Sequence, residues 1–592
     1  MRLKTFIRGL NKLLNLSRVR FCPRNTRNNT EGNHGGICCS TNRDHNKDRH
    51  NHSSLSVSFR VFRGLIPLRL NELVIQASGA FFVTLFVLSL LAATSLNADE
   101  RRTPNIIFIL ADDIGYGDLS SYGAMHAKTP KIDLLAREGC RFTDAHSPAS
   151  TCTPTRAALL TGRYSWRQQP GTSIAPGDAP LTIPPGTTTI ASVLKQAGYT
   201  TGVVGKWHLG LGGEAGPDWN ADLKPGPLEI GFDDAFLMPA TGDRVPCVYV
   251  KNHRVVGLDP NDPIRVSYKM KIGEEATGKE NPELLTLKHT HGHDMTIING
   301  VGRIGWMTGG KAARWKDEDM ADTFAKAAIG FIERSQSQQK EKPFFLYLAT
   351  HGIHVPRVPH PRFKGSSSVG TRGDAIHELD DTVGQVLAAV DRLKLTDNTL
   401  VIFTSDNGGV MDDGYEDVGK FDYHPNGVLR GTKATLFEGG HRVPFVARWP
   451  QHIAAGSECG ALITHLDMLA SFAALTGVSL PKEAAADSFN VLPTLLGEIA
   501  SVPPRPHFVA HVGGIHGPFA IRQGDWKFIQ PGGGGRQVEQ SKKDANAPQL
   551  GQLFNLKEDV AEKTNLVATH PEKVAELQAL IKQLREQGRS RL

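Results

Sequence analysis

The chain has 592 residues, enough for one large domain and a smaller one, and its 40% hydrophobic and 21% charged content is that of a globular protein. The formal charge of +7 is unevenly spread: residues 1–98 hold 14 Lys and Arg against 4 Asp and Glu, and the remainder holds 53 against 56. The main body is slightly acidic, which argues against a nucleic-acid partner.

Residues 1–79 are rich in Arg, Asn, Ser and His, and 41–52 are almost wholly polar. Such a stretch cannot bury enough apolar surface to fold, so it is predicted to be a disordered basic extension. Met1 is the only methionine before Met125, which leaves open a start assigned upstream of the true one. Residues 80–93 are apolar, and small and polar residues follow up to 98. This pattern predicts a signal-peptide core, with an uncleaved signal anchor as the alternative and the only route to membrane contact. Either way the expectation is an exported protein, in a periplasmic, extracellular or lysosome-like compartment. Of seven cysteines, only Cys140, Cys152, Cys247 and Cys459 lie in the body, too few and too widely spaced for a disulfide framework.

Three continuous apolar runs follow, at 105–111, 343–349 and 399–404. They end respectively in Asp112-Asp113, in His351-Gly-Ile-His354, and in Asp406-Asn407-Gly408-Gly409. Short apolar runs closed by such residues read as buried parallel strands. Helical patterns at 132–138, 157–160, 190–197 and 375–392 alternate with them. The prediction is an α/β fold, a large mostly parallel sheet sandwiched by helices, whose ligands gather at the carboxyl ends of the strands. Asp112, Asp113, Asp406 and Asn407 then meet at one edge. Four oxygen donors without a Cys-x-x-Cys suit a hard cation, calcium or magnesium. Taken singly, each pair also fits an ordinary loop or helix cap. The catalytic domain is expected to span 99–480. After it the patterns at 507–512 and 520–529 read as antiparallel strands. With an amphipathic helix from about 571 to 587, they form a C-terminal α+β subdomain, 481–592.

Cys152 with Pro154 and Arg156, then Thr161 and Gly162, forms a run that by itself reads as a buried free cysteine where a loop meets a helix. The run resembles the modification signature of the type I, formylglycine-dependent sulfatases, arylsulfatase A-like members of the alkaline-phosphatase-like superfamily. The resemblance extends from about Thr103 to about Gln587. It implies that a formylglycine-generating enzyme oxidises Cys152 to formylglycine (3-oxoalanine), whose hydrate attacks the sulfur of a sulfate monoester. It implies calcium, with magnesium the alternative, on Asp112, Asp113, Asp406 and Asn407 together with the modified Cys152. The run around Gly205-Lys206-Trp207-His208 resembles the second family signature. By that resemblance Lys206 contacts sulfate and His208 is the base that frees it. Arg156 holds the hydrate and a metal-binding Asp in place. His354 contacts the leaving oxygen, Lys433 binds sulfate, and Thr241 stands where the family has a serine near the nucleophile.

The function so implied is hydrolysis of aryl sulfates or sulfated carbohydrates, with a sulfated small molecule or glycan as partner. Two rivals stay open: a phosphatase or phosphonate monoester hydrolase on the same scaffold, and a non-catalytic protein that binds sulfated glycans. Residues 288–306 match none of the catalytic motifs. Their His289, His291, His293 and Trp306 suit a sugar-facing loop.

Overall fold

The computed structural model describes residues 103–167, 173–416, 422–498, 505–512, 517–532 and 550–591, all within one compact unit, Ser95–Leu592. The expected basic extension and apolar segment, 1–98, lie outside the described residues. Among the described residues no helix is long and apolar enough to cross a membrane.

The centre is a ten-stranded sheet. In chain order its strands are β1 (Asn105–Ala111), β2 (Cys140–Phe142), β3 (Thr200–Lys206), β4 (Asp234–Met238), β5 (Val250–Lys251), β6 (Arg254–Val255), β7 (Phe344–Ala349), β8 (Thr399–Ser405), β9 (Phe445–Arg448) and β10 (Ser457–Cys459). Their spatial order is β10-β2-β9-β8-β1-β7-β3-β4-β5-β6. The five middle strands, β8 through β4, run parallel, and β9 and β5 attach to them antiparallel. Every residue of β1, β7 and β8 is buried, as expected for parallel strands covered on both faces. The register aligns the strand ends: Leu110 pairs with Ala349, Ala111 with Ser405, and Ala349 with Gly205. The residues that follow the ends of these four strands therefore emerge side by side.

Two groups of helices pack with the sheet. One comprises α1 (Pro130–Arg137), α4 (Met320–Gln338) and α5 (Gly370–Arg392); the other comprises α2 (Cys152–Thr161), α3 (Ile190–Gln196) and α6 (Asp467–Thr476). A four-stranded antiparallel sheet follows, β11 (Phe508–His511), β12 (Phe519–Gln523), β13 (Trp526–Ile529) and β14 (Gln552–Asn555). Helix α7 (Pro571–Glu586) buries Leu577, Ile581 and Leu584 at helical spacing against it. The parallel centre and the antiparallel C-terminal sheet agree with the reading of the sequence. A buried ionic cluster lies beneath β13: Lys527 pairs with Glu438 at 2.9 Å and with Glu562 at 2.8 Å.

Candidate active site at the carboxyl ends of the strands

Helix α2 begins at Cys152 and closes on Gly162, whose φ of 60° supplies the left-handed C-terminal cap. Pro154 in the first turn is tolerated, because its missing N–H has no partner to lose there. All ten residues of α2 are buried. Burial pushes the Cys152 thiol up to about 11, despite the ammonium groups of Lys206 and Lys433. As a thiol this side chain is a poor nucleophile at neutral pH.

Beneath it lies a charged floor. Arg156, fully buried, donates Nε and Nη2 to Asp406 Oδ2 at 3.0 and 2.6 Å and Nη1 to the Lys206 carbonyl at 3.0 Å. Lys206 donates to Asp112 Oδ2, and Asn407 Nδ2 donates to Asp113 Oδ1 at 2.7 Å. Burial raises the Asp112 carboxyl to about 8, with Asp406 adding to it. Burial also acts on Asp406, but Arg156 and Lys206 outweigh it and hold that group below its ordinary range.

The metal expectation can be tested on the donors themselves. Asp112 Oδ1 and Asn407 Oδ1 are buried without any hydrogen-bond partner. Ligand atoms of Asp112, Cys152 and Asp406 lie within 4.8 Å of one another. Unpartnered oxygens among carboxylates are costly unless a cation joins them, so the residues fit a hard divalent ion. A different group, His146, Glu438 and His441, is equally close, but Lys527 already donates there to Glu438 Oε1 at 2.9 Å.

The two histidines have defined tautomers. His208 Nε2 lies 3.0 Å from the Ala175 carbonyl, an acceptor only, so Nε2 carries the proton and Nδ1 keeps a lone pair with no partner. His208 has a φ of 55°, a strained conformation for this residue type. It is held there by its N–H on the Pro239 carbonyl at 3.0 Å and by Thr153 Oγ1 on its own carbonyl at 3.0 Å. His354 Nδ1 lies 2.7 Å from the Val355 carbonyl and 3.1 Å from Thr241 Oγ1, which leaves Nε2 unprotonated. Burial, reinforced by neighbouring lysines, holds both imidazoles well below their usual range.

Cys152, His208, His354 and Lys433 line a cleft of about 410 Å³. Lys433 Nζ bonds Asp113 Oδ2 at 3.0 Å and Asp413 Oδ2 at 2.7 Å. The predicted site residues are thus gathered in one place, with Arg156, Lys206 and the expected metal donors behind the cleft wall. Several neighbours escaped the sequence reading. Asp413, Asp243 and Arg244 also line the cleft, and Arg244 pairs with Asp243 at 3.0 Å. Asp243 and Arg244 lie two and three residues beyond Thr241, in a segment read for Thr241 alone, and Asp413 falls in no motif. The loop at 288–306 divides: His291 and His293 line the cleft, but His289 and Trp306 do not. His293 is buried and bonded to Asp243 at 2.9 Å, and Trp306 pairs with Ser267 in a separate two-stranded ribbon. The expectation of four sugar-facing side chains is therefore corrected to His291, with His293 bracing the wall.

Two ammonium groups near one nucleophile position suit a substrate with several anionic oxygens, and two neutral imidazoles suit proton transfer at an ester bond. The fold and site define an enzyme of α/β architecture that hydrolyses anionic esters. The chain belongs to the sulfatase family, whose model, described as Sulfatase, matches residues 104–478, and it is an enzyme that hydrolyses sulfate esters. It is 49% identical over 492 residues to an N-acetylgalactosamine-6-O-sulfatase of Bacteroides thetaiotaomicron, covering 83% of this chain and 94% of that one. It is 34% identical over 521 residues to human arylsulfatase A, covering 84% and 90% of the two chains. A solved structure from work on glycosaminoglycan metabolism by Bacteroides thetaiotaomicron aligns with a TM-score of 0.77 at 48% identity, covering 82% of this chain and 100% of that one.

Proposed function

We propose that the protein removes sulfate from a sulfated carbohydrate, using formylglycine made from Cys152 and a calcium ion held by Asp112, Asp113, Asp406 and Asn407. The observation that carries this reading is the surrounding of Cys152: a buried, unreactive thiol set among cations, neutral histidines and the unpartnered side-chain oxygens of Asp112 and Asn407. The sugar part rests on the likeness to the N-acetylgalactosamine-6-O-sulfatase. Aryl sulfates are read as permissive surrogates.

Formylglycine in its hydrated form supplies a nucleophile with a second hydroxyl, and calcium supplies positive charge for the sulfuryl oxygens. The residues of this chain do the rest. Lys206 and Lys433 bind the anionic oxygens and hold sulfur over position 152. Arg156 fixes Asp406 and orients the floor. His208 accepts a proton on Nδ1. His354, anchored through Nδ1, turns the lone pair of Nε2 towards the ester oxygen, and the proton that the departing alcohol takes up comes from the Lys433 ammonium beside it. Thr241 steadies that ring. The cleft admits about one sugar ring with its ester, within the size range of small-ligand sites.

Phosphoryl transfer on this scaffold commonly uses a second metal. The neighbouring carboxylates Asp113 and Asp413 are instead bridged by the Lys433 ammonium, which favours a one-metal sulfatase. Export, the division at residue 480, and maturation by a formylglycine-generating enzyme belong to the same proposal.

The test is expression with and without a formylglycine-generating enzyme. Mass spectrometry of the Cys152 peptide should show sulfur exchanged for oxygen with loss of two hydrogens, and only that form should hydrolyse sulfated mono- and oligosaccharides. Full activity on an unmodified thiol overturns the proposal.

A further inference from the structure

Arg372 lies in the first turn of α5, outside the motifs read in the sequence, and is fully buried. Its guanidinium reaches three places at once. Nε and Nη2 donate to Asp118 Oδ1 and Oδ2 at 3.1 and 2.6 Å, Nη2 also lies 3.4 Å from the Asp113 carbonyl, and Nη1 donates to the Val410 carbonyl at 2.6 Å. Asp118 in turn accepts from the Gly115 N–H at 2.8 Å and from Tyr423 Oη at 2.7 Å. The first loop touched is the one that follows β1 and carries Asp112 and Asp113. The second follows β8 and carries Asp406 and Asn407. Packing is close on the second loop as well: a Cβ added to Gly409 would stand 3.2 Å from Arg372 Nη2 and 2.7 Å from Pro425 Cβ.

Asp113 has a φ of 62°, a conformation a non-glycine residue keeps only when its surroundings impose it. Its carbonyl is the atom on which Arg372 bears. The four metal donors come from two loops whose mutual placement the sheet alone does not fix beyond the strand ends. We infer that Arg372 is a positioning residue that locks these two loops together and so preorganises the calcium site without touching the ion. This rests on the proposed calcium reading of Asp112, Asp113, Asp406 and Asn407. Outer partners of metal ligands typically set affinity by ten- to a hundredfold, and a planar fork cannot be replaced by a point charge.

The experiment uses the full chain, stripped with a chelator and titrated with calcium by isothermal calorimetry. Arg372→Lys keeps the charge beside Asp118 but loses the fork. Asp118→Asn weakens the same clamp from its other end and serves if the first variant fails to fold. Arg505→Lys is the structural control, because Arg505 makes a comparably buried pair with Asp467 through Nη2 at 2.6 Å and contacts neither loop. The expected result is calcium binding weakened about tenfold or more in the clamp variants and unchanged in Arg505→Lys. Hydrolysis by Arg372→Lys should recover at millimolar calcium. Wild-type calcium affinity in the clamp variants overturns the inference alone. A wild-type chain that binds no calcium overturns the calcium reading and this inference with it.

Discussion

Arg156 and Asp406 stand 250 residues apart in sequence and meet in a fully buried ion pair, with two guanidinium nitrogens on one carboxylate oxygen at 3.0 and 2.6 Å. Asp112 Oδ2 lies 3.5 Å from the same guanidinium. One cation thus offsets much of the negative charge gathered at the proposed calcium site. Replacing it leaves buried carboxylates uncompensated, which typically costs about 3–5 kcal/mol. Arg156→Gln should show that loss in urea denaturation of the metal-free chain. A variant as stable as wild type would mean the floor is held by other contacts.

Chelation should abolish hydrolysis and lower the melting temperature, and calcium should restore both. At free calcium 100 times its dissociation constant the stabilisation is about 2.7 kcal/mol. Magnesium should restore in part. Full restoration by zinc would contradict a site built from carboxylate and amide oxygens.

Lys527 serves two buried carboxylates, and burial, with Glu438 adding, pushes Glu562 up to about 7 from the ordinary 4.5. The folded chain therefore holds a proton on Glu562 over a range where the unfolded chain has released it. The stabilisation is complete below pH 4.5 and is lost as pH rises through about 7. Urea midpoints at pH 5 and pH 8 should fall more steeply for wild type than for Glu562→Gln. Parallel slopes would refute the assignment.

His291 is exposed and lines the cleft, whereas Trp306 does not line it. His291→Ala should raise KM for a sulfated sugar several-fold and leave kcat/KM for a small aryl sulfate near wild type. Trp306→Ala should change neither. Equal losses on both substrates for His291→Ala would place it in support of the nucleophile rather than of the sugar.

The legible part of this chain was what local sequence encodes. Continuous apolar runs became β1, β7 and β8, and the acidic pairs behind them landed where parallel strands end. Lys206 reaches Asp112 because Gly205 is in register with Ala349, and Ala349 with Leu110, and Arg156 ties the Cys152 helix to the Lys206 carbonyl. Asp118 with Arg372, and Asp113 with Lys433, could not be read in this way. Their partners lie 254 and 320 residues away, and a single charged side chain carries no signature of a distant mate. The loop at 288–306 misled for a related reason. Alternating histidines in sequence do not reveal that one of them turns inward to meet Asp243.

The complete burial of α2 sets a deadline. A modifying enzyme cannot grip Cys152, Pro154 and Arg156 once that helix is sealed against α6 and Arg156 has closed on Asp406. If Cys152 is matured as proposed, its oxidation has to outrun folding, and a chain that folds first keeps the thiol. On that proposal, the folding rate and the supply of the maturing enzyme together set what fraction of the molecules can ever act.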